Sequence, residues 1–243
     1  QSITVSNLSS HSLGNAFVAT RSPVVYVNHL ASGKNDGTSW DNAFTNLSTA
    51  LSLVDSFTEI WVARGKYLPG NVRSASFLLP TGVTVLGGFS GSEINSSDRD
   101  FFQNETILSG DIGVSDDSTD NSFHVVIPMN GSLLDGFIIE DGNATENFSD
   151  DRGKGAGIWA EDVDFEIRNC VLRNNWAFQG GGAVWLSDTN ASFLDCNFSF
   201  NATGETGSAG AVWAVDSNLT IQSSFLFANY ASYWGGALRI DDG

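Results

Sequence analysis

The sequence predicts an all-β fold, a parallel β-helix (solenoid) with an amphipathic helix as its N-terminal cap. Three observations predict it. Short strings recur along the second half of the chain, apolar and polar residues alternate within each repeat, and Gly or Asn separates the alternating segments. Alternation is the period of a strand, and several short strands in a repeat of about 26 residues match one solenoid coil. One coil cannot bury its own apolar face, so coils must stack with their strands paired about 4.8 Å apart.

Four glycine-rich strings define the repeat. They occupy residues 155–159, 181–185, 209–213 and 235–239, at spacings of 26, 28 and 26 residues. A second set keeps the same phase: Ile167, Cys170, Leu172 and Asn175 align with Phe193, Cys196, Phe198 and Asn201, and then with Ile221, Ser224, Leu226 and Asn229. Stacking of these coils predicts an Asn ladder at a tight turn, because Asn tolerates a left-handed backbone and bonds to neighbouring main chain. The ladder residues are Asn175, Asn201 and Asn229.

The first half of the chain repeats less clearly. Strands are predicted at 24–27, 59–63, 77–79, 83–86, 106–108 and 124–127. A helix is predicted from Ser39 to Val54, because apolar residues recur there at helical spacing after a Ser that can cap it. Such a helix would cover the end of the coil stack, which otherwise exposes unpaired strand edges and the core.

Two regions are predicted in the chain. Residues 1–23 form an N-terminal extension, either an inter-subunit strand or a linker, and residues 24–243 form one β-helix domain. The sequence stops at Gly243 just after the start of a new coil, so the domain is expected to continue or to stack on another subunit beyond this point.

Composition and charge exclude several classes of protein. The chain of 243 residues carries 28 Asp and Glu against 11 Lys and Arg, a formal net charge of −17. Nucleic acid is not an expected partner, because binding a phosphate backbone needs clustered basic residues. A content of 41% hydrophobic and 12% aromatic residues is enough for a core and excludes a disordered chain. No run of about 18 apolar residues predicts a transmembrane segment.

Eleven Asn residues open an Asn-X-Ser/Thr sequon. Chance predicts about four from the Asn, Ser and Thr content. The excess predicts a secreted or cell-surface N-glycoprotein, and the alternative is a β-protein whose Ser-, Thr- and Asn-rich turns match the sequon. At Asn201 a glycan and the ladder exclude each other, and the ladder is favoured. The sequon residues are Asn7, Asn46, Asn95, Asn104, Asn130, Asn143, Asn147, Asn190, Asn197, Asn201 and Asn218.

An ordered series of motifs in the first half resembles secreted right-handed parallel β-helix proteins. The series is YVN at 26–28, GKNDGTSW at 33–40, DNAF at 41–44, EIWVARGKY at 59–67, GGFSGSE at 87–93, NETILSGD at 104–111 and LDGF at 134–137. The later GGA strings and the FxxN string at 198–201 are similar to those of chlamydial polymorphic outer membrane proteins and adhesin-like relatives of the pectate-lyase-like superfold.

The resemblance extends from about residue 24 to the end of the chain. It implies a right-handed β-helix, an extracellular or surface location, and adhesive or structural roles, and it implies no catalytic set. The density of sequons departs from the bacterial members and indicates a source that glycosylates its secreted proteins.

Two sets of repeat positions are candidate sites. Trp159, Trp185, Trp213 and Arg239 share one phase beside an aliphatic row, which predicts an outward aromatic stripe for a sugar or a partner protein, with ordinary stacking as the alternative. Cys170 and Cys196 share another phase one coil apart, within the range of a disulfide, and the alternative is a pair of buried thiols.

Catalytic and metal sites find little support in the sequence. The acidic pairs Asp116-Asp117, Asp150-Asp151, Glu161-Asp162 and Asp241-Asp242 consist of adjacent residues in loops, and adjacent residues on a strand point to opposite faces. His11, His29 and His124 are scattered, so no transition-metal site is expected. No cofactor is predicted. Ca²⁺ at acidic loops such as 116–120 is the alternative to solvated loops.

The sequence therefore predicts an extracellular, N-glycosylated structural or adhesive β-helix protein, and one model is a subunit of a filament or surface layer. Its expected partners are further copies in head-to-tail contact, other extracellular proteins or glycans. We expect no enzymatic activity. The alternatives are a carbohydrate-active enzyme, either a polysaccharide lyase or a glycoside hydrolase, and a carbohydrate-binding module on the same fold.

Overall fold

The computed structural model describes residues 24–145 and 151–242 of the chain. Several predictions fall outside these described residues. They concern the extension 1–23, the sequons Asn7 and Asn147, and the residues His11, Asp150 and Gly243.

The described residues form 22 β-strands and one α-helix. The helix is α1 (Leu47–Leu53). The strands are β1 (Val24–Val27), β2 (Glu59–Ala63), β3 (Gly65–Tyr67), β4 (Phe77–Leu79), β5 (Thr84–Phe89), β6 (Thr106–Ser109), β7 (Val126–Pro128), β8 (Ser132–Asp135), β9 (Ile138–Glu140), β10 (Asn143–Ala144), β11 (Ile158–Glu161), β12 (Asp164–Arg168), β13 (Val171–Arg173), β14 (Trp176–Ala177), β15 (Val184–Ser187), β16 (Asn190–Leu194), β17 (Asn197–Ser199), β18 (Ala202–Thr203), β19 (Val212–Val215), β20 (Asn218–Gln222), β21 (Phe225–Phe227) and β22 (Leu238–Asp241).

The strands pair in parallel to form four sheets. Sheet A has the order β1-β2-β5-β8-β12-β16-β20, sheet B the order β3-β6-β9-β13-β17-β21, sheet C the order β4-β7-β11-β15-β19-β22, and the short sheet D the order β10-β14-β18. Each coil passes through sheets A, B and C in turn, and three coils add a strand of sheet D between B and C. The prediction of an all-β, right-handed parallel β-helix is confirmed.

Equivalent residues of successive coils stack in rows inside the helix. Strand neighbours point to opposite faces, so every second residue enters the core. The core rows are fully buried, and they are Val85, Leu134, Ile167 and Phe193 in sheet A; Leu108, Ile139, Leu172 and Phe198 in sheet B; and Val126, Ile158, Val184 and Val212 in sheet C.

The cap helix is shorter than the sequence predicts. It begins at Leu47, and Asn46 rather than Ser39 is its N-cap, since the Asn46 Oδ1 accepts a hydrogen bond from the Thr49 backbone N–H at 2.9 Å. Phe44 lies before the helix and pairs with β1, because its N–H donates to the Tyr26 carbonyl at 2.9 Å. The buried side of α1, which includes Leu47 and Leu51, joins the main core.

Trp40 also lies outside the helix, in a second apolar cluster on the outer face of sheet A. Trp61 and Phe89 stack there with ring centroids 4.7 Å apart, and the ring of Trp40 lies 5.5 Å from that of Phe89. Apolar residues at 40 and 44 thus follow a helical period without forming a helix, because each packs on a different part of the first coils. Of the helices in the described ranges, none has the length and hydropathy to cross a membrane.

Candidate functional site

A cleft of about 620 Å³ opens beside sheet D, on the side where chain segments connect sheet B to sheet C. This volume lies in the usual range of ligand sites. Apart from Gly142 and Trp176, the residues that line the cleft carry polar or charged side chains. Its lining residues are Arg73, Ser118, Thr119, Asn121, Asp141, Gly142, Asn143, Thr145, Asn174 and Trp176.

Two buried amides in the cleft wall have an oxygen without a hydrogen-bond partner. Asn121 is 5% exposed and Asn143 is 7% exposed, and the Oδ1 atom of each has no partner among the described residues. The Asn121 Nδ2 donates to the Asp141 carbonyl at 2.8 Å, and the Asn143 Nδ2 donates to the Ser118 carbonyl. These donor bonds fix the orientation of both amides, so the unpartnered atom is the acceptor in each case.

Arg73 holds this wall together. Its Nε donates to the Asn121 carbonyl at 2.8 Å, and its Nη2 donates to the Asn143 carbonyl at 2.8 Å and to the Thr145 Oγ1 at 2.7 Å. The guanidinium also lies 4.2 Å from the centre of the Phe123 ring. One cation thus links segments from three successive connections between sheets B and C.

Trp176 supplies the aromatic face of the cleft. It is the first residue of β14, and its backbone N–H donates to the Gly142 carbonyl of the previous coil at 2.9 Å. The indole is half-buried, and the Cα of Gly204 on the next coil lies so close that a Cβ there would be 3.3 Å from it. Sheet D therefore places Trp176 in the same cleft wall as the two amides.

Asp141 is the titratable carboxyl of the cleft. Burial and the nearby charges of Glu140 and Asp111 raise its pKa to about 6, while Lys66 and Arg173 act in the opposite direction. It lies in the left-handed region at φ 60°, at the corner that Asn174 occupies one coil later. A carboxyl with such a pKa changes its charge near neutral pH, which is a property of many functional groups.

An ion-pair network on sheet B surrounds Asp141. The Glu140 carboxylate lies 2.7 Å from the Arg173 guanidinium and 3.7 Å from the Lys66 ammonium, which also lies 3.6 Å from Asp111. Glu140 is buried, so these two cations balance its charge. Asp111 and Glu140 are thus held in ion pairs beside the cleft. Asp141 is the carboxyl that the described lining of the cleft contains.

The Trp residues of the predicted stripe are in phase, and one of them, Trp185, is covered. Trp159 pairs with Trp185, Trp185 with Trp213, and Trp213 with Arg239. Trp185 is only 7% exposed, because the Lys154 ammonium lies 4.3 Å from the centre of its ring and the Trp213 ring packs edge-on against it at 4.8 Å. Trp185 is thus covered, whereas Trp159 and Trp213 are half-buried, so the aromatic face that the sequence predicts is interrupted at its middle residue.

The Asn positions form a continuous ladder. The Asn201 Oδ1 accepts from the Asn175 Nδ2 at 3.0 Å, and the Asn229 Oδ1 accepts from the Asn201 Nδ2 at 2.9 Å. Each amide also donates to a main-chain carbonyl of the preceding coil, as Asn201 does to Leu172 at 2.8 Å. The ladder fastens the turn between sheets B and D beside the cleft.

Cys170 and Cys196 are free, buried thiols, the second of the two alternatives for this pair. Their sulfurs lie near main-chain carbonyls, at 3.8 Å from Leu134 for Cys170 and 3.3 Å from Leu194 for Cys196. Burial raises the pKa of Cys170 well above its usual value and that of Cys196 to about 12. Both are protonated and unreactive in the folded protein.

The sequons differ in accessibility. The side chains of Asn46, Asn95, Asn130, Asn190 and Asn218 are exposed, and those of Asn104 and Asn197 are half-buried. Asn143 and Asn201 are buried, at 7% and 0% exposure. The prediction of a glycan at Asn143 therefore conflicts with its burial, since an attached sugar needs an exposed amide.

Asp116, Asp117, Glu161, Asp162, Asp241 and Asp242 of the predicted acidic pairs do not line the cleft. Asp116, Asp117, Glu161 and Asp162 are exposed, and Asp241 binds Arg239 and the Trp213 indole N–H. His29 packs against Tyr67, and the Nδ1 of His124 lies 3.0 Å from the Gly155 carbonyl. Within residues 24–145 and 151–242, no three His, Cys, Asp or Glu side chains form a cluster that could hold a metal ion.

Sequence reasoning missed Arg73, Asn121, Asp141 and Trp176. These residues come from connections between sheets B and C, whose lengths differ from coil to coil, so they do not recur in phase. The position of Trp176 is taken by Ala202 one coil later. The available signal was the polar insertion after Asn143, which marks where the regular coil is interrupted.

Two comparisons with known proteins found matches. One solved structure is a pectin methylesterase in complex with a hexasaccharide, at 11% identity and a TM-score of 0.33, covering 82% of this chain and 66% of the esterase chain. Another is a partly deglycosylated pectin methylesterase from Aspergillus niger, at 14% identity and a TM-score of 0.40, covering 91% and 85% of the two chains. The chain thus spans about two thirds of the first esterase. No curated protein matches this chain.

The family comparison covers most of the chain. The model of a family described as a protein of unknown function, DUF1565, matches residues 31–212. This range includes the cap helix, most of the coils and every residue of the cleft wall. The chain therefore belongs to the DUF1565 family.

Proposed function

We propose that this chain is an extracellular, adhesive or structural β-helix protein that binds a saccharide in the cleft beside sheet D. One observation carries the proposal: a cleft of about 620 Å³ is lined by amide and hydroxyl side chains together with the half-buried indole of Trp176. Such a combination of hydrogen-bonding groups and an aromatic face is typical of ligand sites.

The chemistry of the wall selects the kind of ligand. The lining amide and hydroxyl side chains can pair with the hydroxyl and acetamido groups of a sugar. The apolar face of a sugar ring packs on an indole, and Trp combines a large apolar surface with a rigid side chain. Asp141 is a carboxyl of the lining and the chain has a formal net charge of −17, so neutral saccharides are favoured over acidic ones.

The extracellular location and the partners are part of the same proposal. The density of sequons and the exposure of five of them support passage through a glycosylating compartment. The resemblance to adhesin-like β-helix proteins supports an adhesive role, with glycans, other extracellular proteins or further copies of the chain as partners. A filament or surface layer is the corresponding assembly.

Calorimetric titration with a panel of neutral and acidic oligosaccharides tests the proposal. We expect a neutral member to bind, and Trp176→Ala to weaken that binding about 10-fold or more, the effect of losing one stacked indole. Trp234→Ala is the matched control, because this indole is 58% exposed and does not line the cleft. Absence of binding to every member, or equal affinity for the wild type and Trp176→Ala, would contradict the proposal.

The raised pKa of Asp141 favours a second candidate, a carbohydrate-active enzyme. A carboxyl that holds its proton to about pH 6 could act as a general acid beside a bound sugar. Hydrolysis of a glycosidic bond generally uses two carboxyls about 5–9.5 Å apart, and the described cleft wall supplies one. Release of reducing ends from the oligosaccharide that binds, lost in Asp141→Asn, would establish this candidate over the adhesive role.

A further inference from the structure

We propose that the N-linked glycans of the described chain lie at the corner between sheets C and A, in the connection from sheet A to sheet B and at the cap helix, and leave the cleft side bare. The carriers are Asn46, Asn95, Asn130, Asn190 and Asn218, while Asn143 and Asn201 carry none. The inference needs the secretory route of the proposed function, but it does not need saccharide binding.

Three of the exposed sequons follow one corner of the β-helix, where the chain passes from sheet C to sheet A. Asn130 precedes β8, and Asn190 and Asn218 are the first residues of β16 and β20. Asn190 and Asn218 pair in register, and the Asn218 Nδ2 donates to the Asn190 Oδ1 at 2.7 Å. Asp164 continues this row toward Asn130, since its N–H donates to the Asn130 Oδ1 at 2.8 Å.

The two remaining exposed sequons also lie away from the connections between sheets B and C. Asn95 stands in the segment between β5 of sheet A and β6 of sheet B, and Asn46 caps α1 at the end of the stack. All five amides reach solvent, and none lines the cleft. Each can therefore carry a sugar chain without unfolding of its surroundings.

Asn201 lies between sheets B and D and cannot carry a glycan in the folded protein. It is 0% exposed, and its Nδ2 donates to both the Leu172 carbonyl at 2.8 Å and the Asn229 Oδ1 at 2.9 Å. An N-linked sugar replaces one of the two Nδ2 hydrogens. A glycan would thus break a buried hydrogen bond and would also need space where the next coil is packed.

Asn143 is excluded in the same way. It is the first residue of β10, is 7% exposed, and directs its Nδ2 to the Ser118 carbonyl in the cleft wall. Both sequons of the described B-to-C side are therefore closed by burial. Sheet C on one side, and sheets A and B on the other, separate the cleft from the glycan row at the C–A corner. This arrangement would leave the cleft open to large ligands.

Peptide mapping of the full chain secreted from a eukaryotic host tests the inference. Enzymatic removal of the glycans in heavy-oxygen water converts each occupied Asn to labelled Asp, which mass spectrometry locates. We expect label at Asn46, Asn95, Asn130, Asn190 and Asn218 and none at Asn143 or Asn201. Label at either buried position in folded protein, or unlabelled Asn130, Asn190 and Asn218, would overturn the inference.

Two substitutions that leave the Asn residues intact provide a matched pair. Ser192→Ala removes the sequon of Asn190, and Thr203→Val removes that of Asn201. The Thr203 Oγ1 is buried without a partner, so Val should fit there without loss of stability. We expect Ser192→Ala to lower the intact mass by one glycan and Thr203→Val to leave the glycan mass unchanged. The opposite pattern would contradict the inference whether or not the protein binds saccharide.

Discussion

The regular coils after residue 155 and the cleft beside sheet D use similar residues for different purposes. In the coils, Asn201 and Trp185 repeat in phase, and each is buried against its equivalents. In the cleft, Asn121 and Trp176 occur outside the repeat, and Asn121 keeps an unpartnered oxygen while Trp176 stays half-exposed. The repeated residues Asn201 and Trp185 therefore hold the solenoid together, and Asn121 and Trp176 outside the repeat line the cleft.

The largest expected effect is at the Asn ladder. Asn201→Ala removes bonds to Leu172, Asn175 and Asn229 at a site with no access to water. We expect the free energy of unfolding to fall by about 4 kcal/mol, because several buried groups lose their partners together. Denaturant titration of protein made without glycans measures it. A loss below about 1 kcal/mol would show that the ladder is dispensable, and it would contradict the stabilising role assigned to the repeated residues.

The covered indole should behave in the same way as the ladder, and the cleft indole should not. Trp185→Ala leaves a cavity under Lys154 and is expected to lower the free energy of unfolding by about 3 kcal/mol without changing saccharide affinity. Trp176→Ala should weaken binding with a much smaller loss of stability. Thermal melts and calorimetric titrations of both variants, made in parallel, measure the contrast. If Trp185→Ala abolished binding and kept its melting curve, the covered stripe would be the site.

Asp141 is expected to make the stability of the cleft region depend on pH. Its folded pKa of about 6 lies above that of a free Asp, so the folded state holds the proton more tightly. Stability from this group is therefore present below about pH 4 and is lost as the pH rises to about 6. We expect Asp141→Asn to be more stable than the wild type by about 1 kcal/mol at pH 7, after allowance for solvent screening, and to match it at pH 4. Denaturant titrations at both pH values give the result, and an equal difference at the two would contradict it.

The smallest effect is expected at the outer Asn row. Asn190 has the same residue type and almost the same spacing to its neighbour as Asn201, but it is exposed and its bonds to Asp164 and Asn218 compete with water. Asn190→Ala in protein made without glycans should change the free energy of unfolding by no more than about 0.5 kcal/mol. A loss as large as that of Asn201→Ala would mean that burial does not explain the difference in stability between the inner Asn ladder and the outer Asn row.

Much of the fold could be predicted from the sequence because equivalent residues of successive coils recur at a nearly regular spacing. The boundaries of β1, β2 and β4 agree with the predicted strands, and the phases of Trp185 and Asn201 match the observed register. The helix prediction was wrong at its start, since Trp40 and Phe44 are apolar for packing on the first coils and not for a helix. Local periodicity does not distinguish these causes.

The sequence by itself determined the coil repeat, the sheet type and which rows enter the core, because each residue interacts mainly with its equivalents 26 to 28 positions away. Only the tertiary structure decided which residues meet solvent. Trp185 and Asn143 are covered by neighbouring segments, and Arg73 joins Asn121 and Thr145 across coils. These contacts involve connections of unequal length, whose residues do not recur at a fixed spacing. The sequence pattern therefore does not reveal them, and they form only when the coils stack in the tertiary structure.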